Sequence, residues 1–163
     1  KERRKIAKKE KNKFEHSLRI SGNKTNGKYD PDRICQEDKE ELKRRCEKIE
    51  NYYSEYSVMD IYYVDGKRTS GENYADIGAM ECLENVGKDS EGRRRMFGQY
   101  AANWCELNDT DAVTVAIAND EHSPAVIRVN AVLSSLEGFC EAYELRSGDG
   151  MYVAPEKRVS RWH

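Results

Sequence analysis

Ser70-Gly71-Glu72-Asn73-Tyr74-Ala75-Asp76 opens a stretch that continues as Ile77-Gly78-Ala79-Met80-Glu81-Cys82-Leu83. Ile77, Met80 and Leu83 recur at helical spacing, so residues 72–86 are expected to form a helix with those three on one side. On that helix Glu72 and Asp76 stand at i and i+4, which puts two carboxylates on one face. Acidic neighbours at that spacing usually just face solvent, so the pair acquires meaning only from its surroundings.

On the N-terminal side, Gln36 to Tyr56 reads as another helix, with Leu42, Cys46, Ile49, Tyr53 and Tyr56 at 4-3-4-3 spacing. Between the two, Asp60 to Thr69 reads as a short hairpin. Ile61–Val64 and Lys67–Thr69 would be its strands and Asp65-Gly66 its turn. On the C-terminal side, Arg93 to Leu107 reads as a helix with Met96, Phe97, Tyr100, Ala101 and Trp104 inward. Residues 112–118 are apolar and fit either type of element. His122-Ser123-Pro124 precedes Ala125 to Leu136, and a helix is expected over Glu137 to Tyr143. The reading is a mainly α fold with one short β-hairpin. Leu42, Ile49, Ile77, Leu83, Phe97 and Trp104 are expected in the core.

The chain has 163 residues, 37% hydrophobic and 36% charged, with a mean hydropathy of −0.95. Thin apolar stripes on helices fit that balance better than buried strands do. No run of 18 apolar residues is present, so no transmembrane helix is read. No apolar stretch follows the N-terminal charges, so no signal peptide is read there either. Charge is uneven: residues 1–28 hold eleven Lys/Arg against three Glu, a net +8, and the remainder 17 against 27, a net −10. The basic arm lacks interleaved aromatics to stack bases, so nucleic acid is not an expected partner. Five cysteines occur, at 35, 46, 82, 105 and 140, with no CxxC pair to build a zinc knuckle.

Taken in order, Gly71-Glu72-Asn73-x-Ala75-Asp76, Trp104-Cys105, His122-Ser123-Pro124-x-x-x-Arg128-Val129, Pro155-Glu156-Lys157 and Trp162 resemble the C-terminal region of the neprilysin and endothelin-converting-enzyme family of zinc metallopeptidases. The resemblance implies the helical C-terminal part of a zincin-type domain over residues 29–163. Residues 1–28 are then a basic arm standing where the metal helix would be. It implies that Glu72 matches the third zinc ligand and Asp76 the acid that orients a ligating His. It further implies that His122 matches the oxyanion-stabilising residue and Arg128 the residue that holds a substrate carbonyl.

The departures from the family pattern carry equal weight. The family's metal helix needs H-E-x-x-H, two histidines for zinc and a Glu as general base. In the best register His16 takes the second His, while Asn12 and Lys13 fall on the first His and the base. Asn is a poor zinc ligand, and a lysine there opposes the cation. Glu72 with His16 leaves at most two protein ligands, so tight zinc binding is not expected. The partner implied for Cys46 falls on Val159, that for Cys105 falls before Lys1, and Leu145 stands where the family has another Cys.

The expectation is therefore a peptidase-like chain that binds a peptide or small protein, a family member, or an absent N-terminal region, without cutting. Two alternatives stay open: an active zinc endopeptidase whose H-E-x-x-H comes from a longer chain, and a fragment with no function of its own. By resemblance the setting is extracellular or a membrane-anchored ectodomain. If the site persists without zinc, His122 or Arg128 should move toward Glu72.

Overall fold

The computed structural model describes residues 35–87 and 89–162. The readings made on the basic arm, including Asn12, Lys13 and His16, lie outside the described residues. The described residues divide into two compact units, Glu47–Arg161 and a smaller one that holds residues 35–46 and Trp162.

Helix α1 spans Gln36–Ser54. In the smaller unit, Arg44 and Arg45 close on the Glu41 carboxylate one turn away, at 2.7 and 2.6 Å. These two guanidinium groups lower the Glu41 pKa to about 2.

In the larger unit, the end of α1 is followed by β1 (Ser57–Val58) and β2 (Tyr62–Tyr63), antiparallel with Ser57 opposite Tyr63 and Val58 opposite Tyr62. Then come α2 (Ser70–Glu84), α3 (Ser90–Asn103), α4 (Thr110–Asn119), α5 (Ala125–Ser135) and α6 (Glu137–Tyr143). A single 3₁₀ turn at Pro155–Lys157 follows. Helices α3 and α6 pack together, α2 lies on α5, and α5 also touches α3 and α6. The core is Ile49, Tyr52, Tyr53, Ile77, Met80, Phe97, Ile127, Val132, Leu133 and Phe139. Tyr52 Oη donates to the Ala131 carbonyl at 2.9 Å, which lets a phenol sit inside this core.

Local chemistry explains the helix boundaries. Asp89 and Asp109 each accept the N–H three residues on, from Gly92 and Ala112, at 2.7 Å. Those bonds satisfy donors that helices α3 and α4 would otherwise leave orphaned. Residues 112–118, open to either type of element in the sequence, are helical because Asp109 starts a helix there.

Two expectations are corrected. The hairpin turn is not Asp65-Gly66. It lies at Met59–Ile61, where Met59 and Asp60 take φ of 56° and 58°. Such angles cost non-glycine residues roughly 1–2 kcal/mol each, so no sequence preference marks them as a turn. Gly66 has a different task. A Cβ there would meet the Glu50 carbonyl oxygen at 2.0 Å, so glycine lets the chain cross α1 closely. The second correction is to the expected core: Leu83 is 45% exposed, and Leu42 and Trp104 are only half-buried and stand outside the core cluster. The inward face of α2 runs Asn73, Ile77, Met80 and then half-buried Glu84, and Leu83 lies about 100° around the helix from Glu84.

Candidate functional site

Four residues singled out in the sequence come together in the larger unit. Glu72 and Asp76 project from the first two turns of α2. His122 lies in the loop before α5, and Arg128 one turn into α5. Arg128 binds Asp76 through two parallel bonds, Nε to Oδ2 at 2.6 Å and Nη2 to Oδ1 at 2.8 Å. The two side chains are only 13% and 15% exposed. Asp76 raises the Arg128 pKa above its already high value, so the guanidinium is a fixed charge.

Arg128 is held from two further sides. Its guanidinium carbon lies 3.9 Å from the centre of the Trp104 ring, a close cation–π contact. The backbone carbonyl of Arg128 accepts from Tyr100 Oη at 3.1 Å. Burial, then the Asp76 charge, raises the Tyr100 pKa to about 12, so the phenol stays a donor.

His122 Nε2 faces Glu72 Oε2 at 3.4 Å, with both side chains a little over two-fifths exposed. Its other ring nitrogen, Nδ1, donates to Asp120 Oδ1 at 2.8 Å, and the same oxygen accepts the His122 backbone N–H at 2.9 Å. These two bonds, the backbone one first, lower the Asp120 pKa. Asp120 therefore fixes which nitrogen of His122 looks toward Glu72.

Asp120 was missed in the sequence reading. A carboxylate two residues before a loop histidine is the one signal that would have found it. Arg68 was missed as well: it donates to the carbonyls of Ala118 at 2.7 Å and Asp120 at 3.0 Å, and to that of Ile117. It thereby satisfies the end of α4 and anchors the segment that leads to His122. Nothing local in the sequence marks that role.

Beside this cluster lies a cavity of about 380 Å³ lined by Trp104, Glu106, Asp120, His122, Ser123 and Arg128, among others. A second cavity, of about 500 Å³, shares Trp104 and adds apolar side chains from Val58, Met59, Val113, Val126 and Val129.

A model of Peptidase family M13 matches residues 11–159. The chain belongs to peptidase family M13. Neprilysin-2 of Caenorhabditis elegans is 33% identical to this M13 chain over 136 residues, 73% of the chain and 18% of that protein. A neutral endopeptidase of Lactobacillus helveticus is 31% identical over 100 residues, 61% and 16% of the two. The M13 chain thus spans less than a fifth of the length of these curated relatives. Among solved structures, PepO from Lactobacillus rhamnosis superposes with a TM-score of 0.78 at 25% identity, over 84% of this chain and 22% of that one. The zinc metalloprotease Zmp1 of Mycobacterium tuberculosis shares the fold, with a TM-score of 0.75 at 24% identity over 88% and 25%.

The M13 family are zinc metallopeptidases, so the donors must be tested against zinc. Among the described residues, no group of three or more His, Cys, Asp or Glu side chains is placed to hold a metal ion. Both oxygens of Asp76 are taken by Arg128. Glu72 is the one described residue that the resemblance offers as a ligand, against the three protein ligands a catalytic zinc needs. The described donors do not by themselves fit the metal, and His16 lies outside the described residues.

Proposed function

We propose that this M13 chain is the substrate-side part of a neprilysin-like peptidase and that it binds an extended peptide without cutting it. The observation that carries the reading is the cluster itself: a fixed Arg128 charge, braced by Asp76 and Trp104, at the rim of a cavity that also holds His122.

Arg128 would present donors to a peptide carbonyl, and its bond to Asp76 would hold the fork in the orientation that reaches one. His122, with Nδ1–H committed to Asp120, would in its protonated form also donate from Nε2 to an oxygen of the ligand in place of Glu72. The apolar cavity beyond Trp104 would receive a hydrophobic side chain of the peptide.

A second reading is favoured by length. The matched relatives are more than five times as long as the segment they share with this chain. A longer chain that brought H-E-x-x-H would make this region half of a working zinc endopeptidase, with Glu72 as a ligand and Asp76 behind it. Placement outside the cell belongs to the proposal too; no described helix is long and apolar enough to cross a membrane.

The test is titration of a hydrophobic peptide into wild type and Arg128→Ala, with product analysis by mass spectrometry and metal analysis after dialysis. Binding that weakens at least tenfold in Arg128→Ala, with the peptide intact and zinc substoichiometric, is the expected result. Equal binding by both proteins overturns the reading. Cleaved product and bound zinc, both lost in Glu72→Ala, move the protein to the endopeptidase reading.

A further inference from the structure

The residues next to Glu72 and His122 are joined to each other inside the protein. Asn73 is 0% exposed and Ser123 is 3% exposed. Ser123 Oγ donates to Asn73 Oδ1 at 2.8 Å. Asn73 Nδ2 donates in turn to Thr69 Oγ1 at 2.9 Å, and Thr69 Oγ1 donates to the Asp65 carbonyl at 3.0 Å. A relay of three buried side chains thus runs from the His122 loop through α2 to the turn before it.

Turn geometry makes this relay relevant to the site. One residue along a helix rotates the side chain by about 100°, so Asn73 points inward where Glu72 points to the opening. Ser123 likewise lies inside while His122 lies at the rim. The bond between the inner pair therefore joins the same two segments that carry the outer pair.

Glu72 and His122 are 43% and 44% exposed and 3.4 Å apart, a geometry that solvent screens and that holds two side chains only weakly. The Asn73–Ser123 bond is shielded from water, and breaking it leaves a buried amide oxygen and a buried hydroxyl without partners. The inner pair is stiff and the outer one is soft.

We propose that Asn73 and Ser123 are positioning residues, a buried clamp that sets the Glu72–His122 separation. The inference rests on reading Glu72 and His122 as parts of the site. Arg68, on the carbonyls of Ala118 and Asp120, holds the same segment from its other end. Arg128 is gripped independently by Asp76 and Trp104, so loosening the clamp frees His122 and leaves Arg128 in place.

The experiment is solution NMR on the full chain, reading nuclear Overhauser cross-peaks between the His122 ring and the Glu72 side-chain protons. His122→Gln assigns the ring signal among the three histidines. Ser123→Ala should abolish the cross-peaks, and Ser123→Thr, which keeps the hydroxyl, should restore them. Ser135→Ala is the control: Ser135 is also buried, its Oγ bonds the Val132 carbonyl on α5, and its removal should leave the cross-peaks intact. Should Ser123→Ala fail to fold, Asn73→Leu combined with Ser123→Ala removes both polar partners together, which spares the fold the cost of an orphaned group. Cross-peaks that persist in either folded variant overturn the clamp, as does their disappearance in Ser135→Ala. Peptide titration of the same proteins separates the two proposals. If the cross-peaks vanish on Ser123→Ala while wild type binds no peptide, the clamp stands and the peptide-binding reading falls.

Discussion

Arg128 meets Asp76 through one edge of its guanidinium, Nε and Nη2, at 2.6 and 2.8 Å, across 52 residues of sequence. This pair ties α2 to α5 and fixes the charge that faces the cavity. Removing the arginine leaves a nearly buried carboxylate alone. Arg128→Ala should destabilise the protein by about 3 kcal/mol, and Arg128→Lys, which keeps one charge but not the fork, by roughly 1–2 kcal/mol. Chemical denaturation of the three proteins measures both. Equal stability of wild type and Arg128→Ala would show that the pair carries no structural load.

Trp104 lies under the same guanidinium at 3.9 Å. Trp104→Phe keeps an aromatic face and should cost under about 1 kcal/mol, whereas Trp104→Leu removes the cation–π contact and should cost about 1–2 kcal/mol. Peptide affinity should fall in the same order if Arg128 is the anchor. A leucine variant that binds as tightly as the phenylalanine one would sever Trp104 from binding.

Two glycines should respond in opposite senses. Gly66→Ala forces a Cβ to within 2.0 Å of the Glu50 carbonyl, and backbone cannot yield as a side chain can. The expected cost is about 1–3 kcal/mol. Gly98 sits inside α3, exposed and with nothing within 4 Å of an added Cβ. Gly98→Ala should stabilise by about 0.5–1 kcal/mol, through helix propensity and a less flexible unfolded chain. Thermal midpoints of the pair test both signs at once.

Glu84 gives a pH dependence. Burial raises its pKa above the ordinary carboxylate value, although the Gly138 N–H and Arg93 act to lower it. A carboxyl group raised in the folded state supports folding below its unfolded pKa. That support is lost as pH rises through the folded value. Glu84→Gln keeps an acceptor for Gly138 and removes the charge. It should be more stable than wild type at pH 7, by less than about 1 kcal/mol, and equal to it near pH 3. Parallel stability profiles across that range would count against a strained carboxylate.

Thiol reactivity should split by burial. Cys105 is exposed, whereas Cys140 is buried and burial raises its pKa despite nearby Arg158. A thiol reagent at pH 8 should modify Cys105 well before Cys140 in the native state, since the thiolate is the reacting form. Mass mapping of the labelled peptides reads the order, and equal rates would mean that α6 opens readily.

Most helices were legible because their signals are local. Ile49 and Tyr53 on α1, Ile77 and Met80 on α2, and Phe97 on α3 repeat at helical spacing, and each is buried. Leu83 misled because periodicity fixes a face only to within a residue, and Glu84 takes the inward position at that end of α2. The hairpin was displaced because Asp65-Gly66 carries a strong turn signature, while the true turn uses Met59 and Asp60 in conformations their side chains disfavour. Only long-range packing decides such a place.

The sequence alone determined which chemical groups are present, their order, the M13 resemblance they carry, and the helices that display them. Helical backbone hydrogen bonds, caps and periodicity act between residues within a turn or two, so they can be read along the chain. What tertiary structure decided was partnership. Asp76 takes Arg128 and leaves Glu72 to His122, Trp104 supports the arginine, and Asn73 reaches Ser123 across 50 residues. Those choices follow from how α2, α3 and α5 close on one core, and spacing along the chain does not encode distance across it.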